Sequence, residues 1–231
     1  MAQKNITKQQ KKDETDIWII LIVTMVFFGI YSAFSGVLTE YVMNDSNPVL
    51  ARLALNAFFQ FALAGLGITI VCIYRKQSFI SFGLRKKGMA EAAVKTLLCF
   101  VPYILYVFAS GSFEGYRPFS IMITDDIIKA GFPINAVGMA VIIIVWGFFE
   151  GFNYAVISSK INDAYPGKKL DTGAAVCAIV CLLFHPLSFS LWGIVEMVTV
   201  ACAIYGMLRV RAKTDNAWGC VLAFCFIWNA L

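Results

Sequence analysis

The chain has 231 residues and a formal net charge of +5; 60% of the residues are apolar, 14% are charged, and the mean hydropathy is +0.75. An ordinary soluble chain is about 45–50% apolar and about 25% charged, so this composition excludes a soluble globular domain. The apolar excess lies in long blocks rather than in a period of 2 or 3.6, the mark of helices solvated by lipid.

The positive charge does not point to nucleic acid. Basic residues crowd into 4–12, 75–87, 160–169 and 209–213, at the ends of successive apolar blocks. That distribution orients a membrane protein and meets anionic lipid headgroups. Residues 1–16 (MAQKNITKQQKKDETD) are predicted to be a solvated, cytoplasmic basic tail. The apolar run after them is too long for a cleaved signal peptide and lacks a small-residue cleavage site, so it reads as a signal-anchor.

A span needs about 20 apolar residues to cross about 30 Å of hydrocarbon. Seven segments are candidates, the last two of them short: 17–38, 50–74, 90–110, 134–158, 173–190, 191–208 and 217–231. An eighth arises if 119–132 inserts, but Asp125, Asp126 and Lys129 within it favour an interfacial amphipathic helix. With the N-terminus in the cytoplasm, the inside segments carry fifteen Lys and Arg: four in 1–16, five in 75–89, three in 159–172 and three in 209–216. The outside segments carry three, Arg52, Arg117 and Lys129. This bias predicts a polytopic, all-α transmembrane bundle in the cell membrane, with a cytoplasmic N-terminus and, for seven spans, an outside C-terminus. Residues 17–231 form its single membrane domain. The seven cysteines all fall within apolar blocks and none forms a CxxC pair, which argues against a disulfide framework.

Ionisable residues within spans are costly and mark function by default. Glu150 lies in the middle of the fourth span, and Asn153 and Tyr154 follow at i+3 and i+4, on the same helical face. Glu150 reads either as packing glue between helices or as a desolvated carboxylate that takes a proton from water. His185, the single histidine, falls in the fifth span, where it serves structure or orients water, stabilises an oxyanion or shuttles a proton. Asn229 closes the last span as a helix bridge or an oxyanion donor. Glu196 is a second intramembrane acid, whose options are Arg209, His185 or a role as a proton site. One His and two Glu without HExxH-like spacing do not make a catalytic zinc site, so no metal and no cofactor is expected. GxSxG, Walker A and GxGxxG motifs are all missing from the sequence.

Three segments in this order resemble the CPBP family of intramembrane proteases, which groups CAAX proteases with bacteriocin-processing enzymes and includes the eukaryotic Ras-converting endoprotease. WGFFEGFNYAVI stands where that family carries EExxxR, CLLFH where it carries FxxxH, and CFIWN where it carries HxxxN. SFGLRKKG is similar to a stretch common upstream in the family, so the resemblance covers about residues 80–231. Either Tyr154 stands at the motif's Arg and Phe149 at its first Glu, or Glu150 is the first Glu, followed by Gly151 and, at the Arg, Ala155. Cys181 replaces the Phe of the second motif, and Cys225 replaces the first His of the third.

The resemblance implies peptide hydrolysis within the membrane. Glu150 would be the base, His185 the partner that orients water, and Asn229 the oxyanion donor, with Asn153, Tyr154, Cys225 and Glu196 in support. The substrate would be a hydrophobic or membrane-proximal peptide. The substituted positions also fit a weakened or non-catalytic relative that binds such a peptide or a partner protein. A small proton-coupled transporter using Glu150 and Glu196 is a third reading, but the chain shows no inverted repeats.

Overall fold

The computed structural model describes residues 7–167, 170–184 and 188–231. Within them the chain is all-helical. In order come α1 (Lys8–Met43), α2 (Val49–Arg75), α3 (Met89–Ala109), the short α4 (Thr124–Lys129), α5 (Ile134–Ala164), α6 (Thr172–Leu183), α7 (Leu191–Thr214) and α8 (Trp218–Trp228). Five of them, α1, α2, α3, α5 and α7, are long and apolar enough to cross a membrane, while α6 and α8 are shorter apolar helices. Trp18, Val37, Ile73, Leu98 and Leu183 all stand exposed on the outside. An outer surface this apolar suits a bundle solvated by lipid, because soluble monomers rarely carry large contiguous apolar patches.

The centre is α5, which packs against α1, α2, α6, α7 and α8, while α3 lies along α7 and α8. Phe152, Ala155 and Val156 of α5 are fully buried beside Ile204 and Met207 of α7 and Phe224 of α8. Glycine allows the closest approaches. A Cβ at Gly151 would stand 2.6 Å from the Cys220 carbonyl oxygen, and one at Gly173 would collide with the Ser158 carbonyl. These two glycines seat α8 and α6 against α5.

Of the segment 1–16 expected to be a solvated tail, the structure describes 7–16, which begins α1 and buries two of its acids. Thr7 caps the helix: its hydroxyl accepts from the Gln10 backbone N–H at 3.1 Å, and the Gln10 side chain accepts from the Thr7 N–H at 2.9 Å. Residues 8–16 are therefore helical. Asp13 and Asp16, one turn apart, are buried beneath α2 and α5. Lys160 Nζ lies 2.8 Å from both carboxylates, and Arg75 Nε lies 2.7 Å from Asp16. The Lys160 ammonium also sits 5.6 Å from the centre of the Phe82 ring. Removing one partner from such a network strands buried charge. Lys160→Met is expected to lower stability by about 3–5 kcal/mol, measured by thermal unfolding in detergent. A change under 1 kcal/mol would show that the two aspartates find water instead.

Opposite ends of α2 hold separate charge clusters. Arg52, near its start, is buried against Asp126 at 2.7 Å and Asp45 at 3.0 Å, whereas Arg75, at its last residue, joins the Lys160 network. Residues assigned from the sequence to one side of the membrane thus meet at one end of the bundle. At the Lys160 end, Asn216 also ties two loops together, donating to the carbonyls of Arg85 at 2.8 Å and Lys87 at 3.0 Å. Asp215 pairs with Arg85 at 2.6 Å. The SFGLRKKG segment is therefore held to the turn before α8.

Residues 119–132 do not form an eighth span. Their helix, α4, has six residues and is only about 9 Å long at 1.5 Å per residue, far short of the hydrocarbon thickness. Its Asp126 is taken up by Arg52.

Candidate functional site

Three helices depart from α geometry where they approach one another. Wide π turns occur at Ala62–Leu66 in α2, Ile143–Phe149 in α5 and Phe224–Trp228 in α8. Such turns insert one residue into the ladder and are frequent at functional sites. Here they pack together. The Phe61 and Phe149 rings meet edge to face at 4.9 Å. A Cβ at Gly147 would stand 2.6 Å from Cys225 Sγ, and one at Gly65 would stand 2.9 Å from the Phe149 ring. The glycines let the widened turns interlock.

Each turn adjoins one polar side chain, and the three side chains converge. Gln60 precedes the first turn by two residues, Glu150 follows the second directly, and Asn229 follows the third directly. Gln60 Nε2 donates to Glu150 Oε2 at 3.3 Å, and Asn229 Nδ2 donates to the same oxygen at 3.4 Å. The Asn229 amide is shared further, with the Trp146 carbonyl at 3.3 Å and the Phe224 carbonyl at 3.4 Å. Two amide protons facing three acceptors explain why every one of these distances is long. Both backbone acceptors belong to residues in or at a π turn, where the helical ladder is interrupted.

The electrostatics of this cluster differ from those at the bundle ends. Asp13, Asp16 and Asp126 each have a Lys or Arg partner. Glu150 has only neutral amides among the described residues, and no hydrogen bond from those residues reaches its Oε1. Among the described residues one carboxylate oxygen is held and the other accepts no hydrogen bond. A carboxyl group set up in this way can exchange a proton with a water or a ligand without first breaking an ion pair.

The other predicted site residues fall into place unevenly. His185 lies outside the described residues, just beyond the end of α6 at Leu183 and its C-cap Phe184. Tyr154 shares a helical face with Glu150, yet its ring stacks on Phe224 at 5.3 Å and its hydroxyl is within hydrogen-bonding reach of the Cys181 thiol. Asn153 is half-buried and makes no side-chain hydrogen bond to the described residues. Cys225 is buried against the Gly147 backbone, where it fills space between α8 and α5.

Glu196 accepts a hydrogen bond from the Tyr106 hydroxyl at 3.1 Å, linking α7 to α3. It does not pair with Arg209, which lies thirteen residues further along the same straight helix, about 20 Å away. Among the described residues no group of three or more His, Cys, Asp or Glu is placed to hold a metal ion.

Gln60 is the residue that sequence reasoning missed. Its signal was present: Arg52, Asn56 and Gln60 recur every fourth residue and put a polar stripe on one face of an otherwise apolar helix. The chain matches no family model, no curated protein and no solved structure.

Proposed function

We propose that the chain is an intramembrane peptidase of the CPBP type. The observation that supports this reading is the meeting of Glu150 and Asn229, from separate helices, at two of the positions that the motif resemblance singles out. Glu150 takes a proton from water, and the resulting hydroxide attacks the carbonyl carbon of a membrane-proximal peptide bond. The Asn229 amide donates to the oxyanion of the tetrahedral intermediate. The intermediate collapses by expelling the amine, which receives the proton from Glu150. His185 orients the attacking water. The scheme uses no cofactor.

In this reading the bundle has seven spans in the cell membrane, with α6 and α8 completing the five long ones, a cytoplasmic N-terminus and an outside C-terminus. Single cysteines at the two termini of a cysteine-free variant should be labelled by an impermeant maleimide from opposite sides of the membrane. Labelling of both from one side removes the seven-span topology.

A second reading has a specific support. At the position of the family's third-motif His stands Cys225, and its thiol is committed to packing against Gly147. At the Arg position of one alignment stands Tyr154, which is committed to Phe224 and Cys181. A relative that has lost these groups would bind a hydrophobic peptide or membrane partner without cleaving it. The purified protein, in detergent or nanodiscs and presented with a library of membrane-proximal peptides, separates the two readings. Peptidase activity predicts cleavage that Glu150→Gln removes. Binding without cleavage under every condition tested supports the second reading and ends the first.

A further inference from the structure

We propose that Gln60 is a positioning residue for Glu150, fixing one carboxylate oxygen so that the other is presented to water. The proposal rests on Glu150 acting as the base. It starts from an asymmetry between the two amides at Glu150 Oε2. Asn229 divides its protons among the carboxylate and two backbone carbonyls, so its hold on Glu150 is partial. Gln60 makes its one side-chain hydrogen bond to the described residues with Glu150 Oε2.

The two amides come from different partners of α5, Gln60 from α2 and Asn229 from just past the end of α8. Convergence from two helices restrains the carboxylate more tightly than either donor alone, because rotation away from one amide breaks the bond to the other. The approach of α2 is itself fixed. Phe61 is in edge contact with Phe149, and Gly65 permits the close packing that brings Gln60 within reach. An amide suits this position better than a charged donor. It satisfies a buried carboxylate oxygen without forming an ion pair that would have to be broken when the proton moves. Gln60 therefore acts through Glu150 and does not touch the reacting atoms.

The test uses the full chain in nanodiscs and two substitutions. Gln60→Met keeps length and flexibility but has no donor. Gln60→His returns an N–H to nearly the same place. For Gln60→Met, kcat should fall by about 10-fold to 100-fold with KM unchanged within about twofold, the loss expected when a reacting group drifts by up to an ångström. Gln60→His should recover kcat to within about fivefold of wild type.

A second measurement does not depend on turnover. Glu150 should be modified by dicyclohexylcarbodiimide at least about threefold faster in Gln60→Met than in wild type, read by peptide mass mapping, since Oε2 is released from an amide. An unchanged labelling rate overturns the proposal. So does an equal loss of activity in the Met and His variants with a matching fall in melting temperature, which is the signature of a packing role. If Glu150→Gln abolishes cleavage while Gln60→Met leaves kcat intact, Gln60 is not a positioning residue and the peptidase reading stands. If Glu150→Gln cleaves normally, the peptidase reading itself fails.

Discussion

Replacing Glu150 with Gln is expected to reduce peptide cleavage by about 10²-fold to 10⁴-fold, the span that a positioned general base contributes. The loss should fall on kcat with KM little changed, since in the proposed scheme the carboxylate acts on the water and not on substrate binding. Shape is preserved in this variant. The side-chain carbonyl of Gln can still accept from Gln60 and Asn229, which now donate to Glu150 Oε2 at 3.3 and 3.4 Å. No charge is stranded either, because Glu150 has no cationic partner among the described residues. Thermal stability in detergent should therefore stay within about 1 kcal/mol of wild type. This separates Glu150 sharply from Lys160, whose loss leaves two buried aspartates without their ammonium.

Glu150→Asp provides an internal check. It keeps the carboxylate but draws it back toward the helix by more than an ångström, out of reach of both amides. A loss of about 10²-fold is expected from that displacement alone. In the proposed scheme Asn229→Ala takes away the donor to the oxyanion and should cost about 10²-fold to 10³-fold. Cleavage by Glu150→Gln within threefold of wild type would remove Glu150 from the chemistry and leave it as an interhelical bridge.

Block hydrophobicity was enough to place the helices, since lipid selects for it over whole spans. Segments 50–74 and 90–110 fall within a residue or so of α2 and α3. The stretch KKDETD at the start of α1 has the same composition whether it is solvated or paired. What decides the matter is the presence of Arg75 and Lys160, distant in sequence, opposite Asp13 and Asp16. Glu150 and Asn229 were legible because a polar residue within a span is rare and must find a partner. Glu150 and Tyr154 share a helical face, but the sequence does not show which side chains meet them there. Phe224 and Cys181 occupy the Tyr154 end of it, and Gln60 reaches Glu150 from another helix. The stripe Arg52, Asn56 and Gln60 carried that information, though its first member serves an ion cluster and its last serves the site. The π turns leave no pattern in hydropathy. They occur where Gly65, Gly147 and Cys225 let three helices pack closely, a contact that no single segment encodes.

The π turn before Glu150 leads to the other large expected effect. Deleting Ile144, which is 50% exposed on the outer face of the Ile143–Phe149 turn, removes the extra residue without removing a core side chain. The segment can then close into regular α-helix. A wide turn takes up its extra residue locally, so the stretches on either side keep their present faces when it closes. The stretch after it is anchored by Phe152, Ala155 and Val156, all fully buried. The stretch before it is held through Gly138, packed on Ile127, and Ile142, in the smaller core cluster with Leu53 and Trp146. What changes lies between them: the Trp146 carbonyl, which accepts from Asn229 inside the wide turn, returns to the regular ladder, and the Asn229 amide that also donates to Glu150 loses that support. A displacement of an ångström or more in the reacting group costs about 10²-fold, so in the proposed scheme ΔIle144 should lose about that much cleavage while helical content by circular dichroism stays near wild type. Reinserting Ala at position 144 should rescue fully, because the side chain there faces outward and only the residue count matters. If ΔIle144 retains cleavage within tenfold, the wide turn is a packing irregularity, and the alignment of Glu150 with Asn229 depends on the helix contacts alone.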